Sequence, residues 1–436
     1  MKYRHLLITA GLSLLALFVC LPAKAQGIQF FKGSFQEAVQ EAKKQNKKLF
    51  IDFFAVWCGP CKMMEKKVFT QPAVGEYFNA RFISVQLDAE KPENADVVKK
   101  FNVGAFPTLA FFDQNGELIS LNTGACSAEE LVERAKVVTG EAKGFLDYYK
   151  EYEKDNSNME VLQQLLQQAQ AYMATLEGIE AEKWHVRIRK AYANYLDTKG
   201  VPALINKDDY ILLTVFDGLD EETDKKAVAL VADNLDLWKK ELGDTPAYFV
   251  IEHNDAEAEA LAKAGKEQYK ECLEKIRGKY ANAYSVVAYK NVSPYDRSKL
   301  YYDALYGVYK QKDAAGYIQK ITQYFQALGE DLQPTNYAKA AQDLYYAVGK
   351  KLTTEQHNQA ISWLQEALKG DVSMLDKVNY TVMIGDSYKE MKEYNKAEQY
   401  YNQAFALSLS LTELGATQEM IASAIKVKLA ELELLR

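Results

Sequence analysis

Cysteine, proline and histidine are scarce in this chain, at five, nine and four residues in 436. Four cysteines beyond residue 25 cannot staple so long a chain, so a disulfide-framework miniprotein is excluded and whatever the thiols do is local. His5, His185, His253 and His357 are solitary and far in sequence from the paired cysteines, and there is no second C-x-x-C, so no metal is expected. Positive charge is not in excess either. A formal net charge of −7 argues against nucleic acid or a polybasic membrane contact. G-x-G-x-x-G, P-loop and G-x-S-x-G patterns are missing, which leaves nucleotide and hydrolase readings without support, and no cofactor is expected.

Long apolar runs are also lacking. The longest, Leu6 to Leu21, is interrupted by Thr9, Gly11 and Ser13 and falls short of the roughly 20 residues that a spanning helix needs. Lys2 and Arg4 precede it, and Pro22-Ala-Lys-Ala25 closes it with an A-x-A site. Together these describe a secretory signal cleaved after Ala25, hence an exported, periplasmic protein. Lipid anchoring at Cys20 is disfavoured by Val19, where lipoprotein signals carry a small residue. Cleavage removes three basic residues and no acid, so the mature chain (26 onward) carries −10.

Composition is otherwise that of a globular protein, 48% apolar and 26% charged, which argues against disorder. Residues 26–140 alternate short apolar runs with amphipathic stretches. Ser34-Phe-Gln-Glu37 is a capping box opening a helix through Asn46. Leu49–Phe54 reads as a buried strand interrupted only by Asp52. A helix over Cys58–Phe69, a strand over Phe82–Leu87 and a helix over Ala95–Phe101 follow. Strands Thr108–Phe112 and Glu117–Leu121 flank the turn Asp113-Gln-Asn-Gly116, and Ser127-Ala-Glu-Glu130 caps a last helix to about Thr139. This is an α/β fold.

Beyond Gly144 strand signals nearly vanish, and an all-α domain is expected. Residues 141–334 read as helices of uncertain arrangement, with Tyr269, Cys272, Leu273, Ile276 and Tyr280 on one buried stripe. Over 335–436, Ile384-Gly385-x2-Tyr388-x8-Ala397-x3-Tyr401-x2-Ala404 matches the tetratricopeptide spacing. A shift of 37 residues lays Ala360, Leu364 and Ala367 on Ala397, Tyr401 and Ala404. A helical bundle with that spacing by chance is the alternative.

The chemistry sits at Trp57-Cys58-Gly59-Pro60-Cys61-Lys62, directly after the buried strand. Two residues between the cysteines let both sulfurs reach disulfide distance with the first left exposed. Unpaired N–H groups of the helix start would stabilise a Cys58 thiolate. Cys58 is therefore the expected nucleophile, and Cys61, the more buried, resolves the mixed disulfide.

With Asp52 six residues before Cys58, Phe106-Pro107-Thr108 downstream and Gly124 after the last strand, residues 30–139 resemble the thioredoxin family. That resemblance implies a proton-handling role for Asp52 behind Cys61, against the plainer reading of a satisfied core acid. It also implies a cis peptide at Pro107 that leaves the Phe106 backbone free for a substrate strand, and a groove formed by Trp57, Gly59, Pro60, Phe106 and Gly124. Two features depart from the family. Ser84 is read at the position of the lysine that tunes the buried acid, and Lys66 replaces the proline that kinks the helix. Glu65, in a Cys-x-x-Cys-Lys-x-x-Glu pattern, is similar to the extracytoplasmic branch that includes the membrane thiol reductant, and is read as a pKa-tuning acid or else a solvated helix residue. Cys126 is either a third redox thiol or a passive loop cysteine, and Cys272 is a core thiol.

The combination resembles exported Bacteroidetes proteins that pair a thioredoxin fold with a tetratricopeptide-like helical domain. It implies thiol–disulfide exchange on client proteins, leaning towards reduction, with a redox partner that supplies or accepts electrons. The alternative is a protein-interaction scaffold in which the helical domain binds a partner and the N-terminal fold is only a module. The two combine if the helical domain recruits clients to Cys58.

Overall fold

The computed structural model describes residues 27–411 and 415–435. The expected signal segment and Cys20 therefore lie outside the described residues. Two compact units divide at Lys199 and Gly200.

In the first unit a four-stranded sheet has the order β2-β1-β3-β4, with β1 (Lys48–Phe54), β2 (Phe82–Asp88), β3 (Thr108–Phe112) and β4 (Leu118–Thr123). β1 runs parallel to β2, and β3 is antiparallel to both β1 and β4. Side chains alternate across a strand, so β1 feeds two cores. Leu49, Ile51 and Phe53 pack with Phe35, Ala38 and Ala42 of α1 (Phe35–Gln45). Phe50 faces the opposite layer, with Met64 of α2 (Gly59–Lys67), Phe78 of α3 (Pro72–Arg81) and Leu131 of α5 (Ala128–Thr139). Asp52 shares the parity of Phe50 and so looks towards the α2 layer.

The expected elements are present within a residue or two, including the capping boxes at Ser34 and Ser127 and the short α4 (Ala95–Lys100). α3 has no counterpart in the sequence reading. Its buried Val74, Gly75 and Phe78 make too weak an apolar stripe to stand out from the loop-like residues around Pro72. Three further helices, α6 (Phe145–Lys154), α7 (Met159–Met173) and α8 (Gly178–Thr198), complete the unit around an aromatic cluster in which Phe145 stacks on Tyr172 at 4.1 Å.

The second unit is helical throughout its described residues. The stripe from Tyr269 is buried, but its helix ends at Arg277, and Tyr280 lies beyond Gly278. Towards the C-terminus, helices open at Pro334, Thr354, Met374 and Tyr394, each 20 residues after the last. Pairs thus recur every 40 residues, not every 37. On this register His357, Ile361 and Leu364 stand where Ala397, Tyr401 and Ala404 stand in the next pair, and all six are buried. The 37-residue match arose because positions three and four apart share one helix face, so a slip of three still superposes buried residues. Helices Met374–Glu390 and Tyr394–Ser408 approach closely at Gly385, where a Cβ would stand 2.6 Å from the Tyr401 ring. No helix among the described residues is long and apolar enough to cross a membrane.

Candidate functional site

β1 ends at Phe54, and the chain turns through Ala55-Val56-Trp57 into α2, with Cys58 as its N-cap. Cys58 Sγ accepts a hydrogen bond from the Cys61 N–H at 3.1 Å. Pro60 falls in the first turn, where a missing N–H costs nothing because that donor has no partner inside the helix. Three residues of separation at a helix start bring the Cα atoms of Cys58 and Cys61 to 5.3 Å, and the two sulfurs are joined as a disulfide.

Both cysteines are covered, Cys58 at 2% exposure and Cys61 at 5%. The expected contrast between an open first sulfur and a sheltered second one is not present in the disulfide. Ala55 packs beside both cysteines, with Phe54 and Phe106 against them. What distinguishes Cys58 is its place as the N-cap of α2, where its sulfur accepts from the Cys61 N–H at the positive end of the helix.

Trp57 is 67% exposed beside the disulfide. Its indole N–H donates to Glu90 Oε1 at 2.8 Å, and its ring meets Phe106 edge-on at 6.1 Å. The Phe106–Pro107 peptide is cis. Among the described residues the Phe106 main chain makes no hydrogen bond, whereas the next carbonyl, Pro107 O, accepts from Gly124 N–H at 2.8 Å. Gly124 sits at φ +99, a conformation that favours glycine. Trp57 and Phe106 thus come together beside Cys58 and Cys61, with Gly59 and Pro60 exposed between the two cysteines and Gly124 bonded to Pro107.

Asp52 is 1% exposed. Gln86 Nε2 donates to its Oδ2 at 3.0 Å, and Oδ1 has no partner. Burial pushes the carboxyl up to about 6; the Gln86 bond opposes the rise, and the negative field of Glu65 on α2 adds to it. Glu65 is exposed and acts on Asp52 through that field.

One residue read from the sequence changes place. Ser84 does not meet Asp52: it pairs with Phe50 in the β1–β2 register, its hydroxyl is buried without a partner, and its carbonyl accepts from Phe31 N–H. Gln86, directly across from Asp52, occupies the tuning position. Neither Gln86 nor Glu90 stood out in the sequence. The available signal for Gln86 was an uncharged polar residue between the apolar Val85 and Leu87. Cys126 is buried in the α2 core, where its N–H meets Met64 Sδ at 3.1 Å and burial raises its thiol pKa. Burial likewise lifts Cys272 to about 12. Both are free thiols with little tendency to ionise.

The family model for the thioredoxin-like domain matches residues 35–138. That stretch belongs to the thioredoxin-like family. The chain is 43% identical over 74 residues to the thiol:disulfide interchange protein DsbD of Haemophilus ducreyi, covering 16% of this chain and 13% of that protein. It is 40% identical over 82 residues to mitochondrial thioredoxin-3 of Saccharomyces cerevisiae, covering 19% and 59%. A Bacteroides thetaiotaomicron protein solved in solution, a candidate disulphide isomerase, is 43% identical, with 26% and 95% covered and a TM-score of 0.25. The chain spans less than two thirds of the length of either curated relative. The thioredoxin-like match ends before α6, and the helices follow it.

Proposed function

We propose that this chain is a thiol–disulfide oxidoreductase that acts on disulfides of client proteins. The observation that carries the reading is the Cys58–Cys61 pair at the N-terminus of α2, with the unbonded Phe106 main chain beside it.

In the reduced enzyme the Cys58 thiolate attacks a client disulfide. One S–S bond breaks, a mixed disulfide forms at Cys58, and one client thiolate leaves. Cys61 then loses its proton and attacks Cys58 Sγ. The Cys58–Cys61 bond forms, the mixed disulfide breaks, and the second client thiolate departs. Two electrons pass from the dithiol to the client, and a dithiol partner must return them for another turnover. Asp52, titrating at about 6, is the proton acceptor we assign to Cys61. The client lies over Trp57, Gly59, Pro60 and Gly124, with its backbone against Phe106.

The reducing direction and an extracytoplasmic setting belong to this proposal. The similarity to the thiol:disulfide interchange protein DsbD and the Gly-Pro between the cysteines support the first, and the sequence before Gln26 supports the second. The helical residues beyond 140, tetratricopeptide-like over 335–436, are the place we assign to partner recruitment.

Trapping tests the core of the reading. A Cys61→Ser variant accumulates mixed disulfides through Cys58 that a Cys58→Ser/Cys61→Ser variant lacks; a chain that acts only as a scaffold traps none. A reduction potential near about −270 mV supports the reducing direction, and one near about −120 mV reverses it.

A further inference from the structure

In the second unit, four helices converge on a small, partly open hollow that thiol chemistry does not use. Asp255 and Glu259 come from Thr245–Lys263, and Arg297, Tyr301 and Tyr302 from Pro294–Tyr306. Tyr324 comes from Ala314–Leu328, and Asn336 and Lys339 from Pro334–Val348. Together they line a cavity of about 110 Å³.

Most polar groups in this wall are satisfied by the chain itself. Lys339 pairs with Glu259 at 2.7 Å, and Glu259 also holds Lys263 at 2.8 Å. Tyr301 donates to Asp343 at 2.8 Å, Tyr302 donates to the Asp255 carbonyl at 3.2 Å, and Asp255 Oδ1 accepts from Tyr284 at 2.7 Å.

Arg297 is the exception. Its guanidinium is mostly buried, yet its contacts are long: Nη1 lies 3.5 Å from Ser298 Oγ and 3.6 Å from Asp255 Oδ2, with the Tyr324 hydroxyl also in reach. The rings of Tyr289 and Tyr324 stand 5.8 Å from its central carbon, and Nε has no partner. A guanidinium offers five donors in a planar fork; here the Nε–H is buried without a partner, which is costly, and the bonds from Nη1 are long. The fork matches a carboxylate, which takes two parallel N–H bonds.

We propose that this cavity binds a single carboxylate group, held by Arg297 with Lys339 as the second cation and the rings of Tyr301, Tyr302 and Tyr324 around its apolar end. Its size admits the carboxylate and a few carbons, whether of a small organic acid or of a polypeptide C-terminus. Asp255 and Glu259 in the same wall disfavour a doubly charged oxyanion such as phosphate. The proposal is independent of the reading of Cys58 and Cys61.

The test uses the full chain, followed by calorimetry and thermal unfolding. Sodium acetate, sodium phosphate and sodium chloride are compared at matched ionic strength. Acetate gives saturable binding and a raised Tm that chloride does not. Arg297→Lys, which keeps the charge and loses the fork, weakens binding at least tenfold. Lys339→Met, at a half-exposed position, weakens it several-fold without unfolding the chain, and this variant decides the matter if Arg297→Lys does not fold. A short peptide that binds more tightly than acetate, and no longer binds once its C-terminus is amidated, identifies a polypeptide end as the natural source; acetate binding alone identifies a small acid. The proposal is overturned if acetate acts no differently from chloride, if phosphate binds more tightly than acetate, or if Lys339→Met folds and binds as the parent does.

Discussion

Gln86 reaches across the parallel β1–β2 pair to Asp52, Nε2 to Oδ2 at 3.0 Å, and leaves Oδ1 as a buried acceptor without a partner. The strands thus hold a carboxyl in the core under conditions that favour its protonated form. Its pKa rises from 3.8 to about 6 on folding, which sets the sign of its contribution to stability. Below pH 3.8 both folded and unfolded chains are protonated, and nothing is lost. As pH climbs towards 6 the unfolded chain gives up its proton first, so stability falls through that window and stays lower above it. At about 1.4 kcal/mol per unit the deficit is roughly 3 kcal/mol. Asp52→Asn is therefore expected to stabilise the oxidised protein at pH 7 by an amount of that order and to leave it nearly unchanged at pH 3, as denaturant titrations at the two pH values would measure. The same variant slows resolution of the mixed disulfide. A fall in stability at pH 7 would count against the raised pKa.

Removing the negative field of Glu65 lowers the Asp52 pKa. Glu65→Gln should move the acid limb of the pH–rate profile downward from about 6, with the maximal rate largely preserved. Gln86→Leu acts in the opposite direction, because it takes away the hydrogen bond that restrains the rise. NMR titration of the Asp52 carboxyl in both variants checks the pair of signs. Parallel shifts would refute the assignment.

Glu90 holds the Trp57 indole at the mouth of the site. Because Trp57 is solvent-exposed, Glu90→Ala should leave stability nearly untouched. The freed ring loses a hydrogen bond worth about 1 kcal/mol, and client capture should weaken by about fivefold. Altered tryptophan fluorescence, with a raised KM and little change in kcat, is the expected signature.

Gly385→Ala tests the helical region separately. The added methyl would meet the fully buried Tyr401 ring at 2.6 Å, so the two helices must part or the ring must leave its place. Overpacking of this kind costs about 1–3 kcal/mol. Thermal unfolding should register the loss, while the rate of Cys58–Cys61 exchange on a small disulfide stays at the parent value.

How much the sequence disclosed depended on the distance over which each residue acts. Cys58, Gly59, Pro60 and Cys61 set the start of α2 among themselves, so their spacing was enough, and Pro107 and Gly124 carried recognisable positions. Gln86 was not legible, because its meeting with Asp52 depends on the register of two strands 34 residues apart in sequence. Ser84, two positions along the same face of the strand, is the residue that spacing alone offers. The burial of Cys58 was missed for a similar reason, since part of the cover comes from Phe106, 48 residues away. In the helical region the spacing from Ile384 to Ala404 was legible, and Gly385 within it is where the two helices approach closely. The repeat length stayed ambiguous, because an apolar face reads alike after a slip of three.

The unbonded main chain at Phe106 has a consequence for selectivity. A peptide group that reads another peptide group sees the same donor and acceptor in every residue but proline. A client strand would therefore dock there with little regard for its sequence, and discrimination would depend on how readily a given disulfide can be drawn out into an extended segment. Loosely folded or misbridged chains would be favoured over well-packed ones, and a client proline facing Phe106 would remove one of the few features this surface can sense.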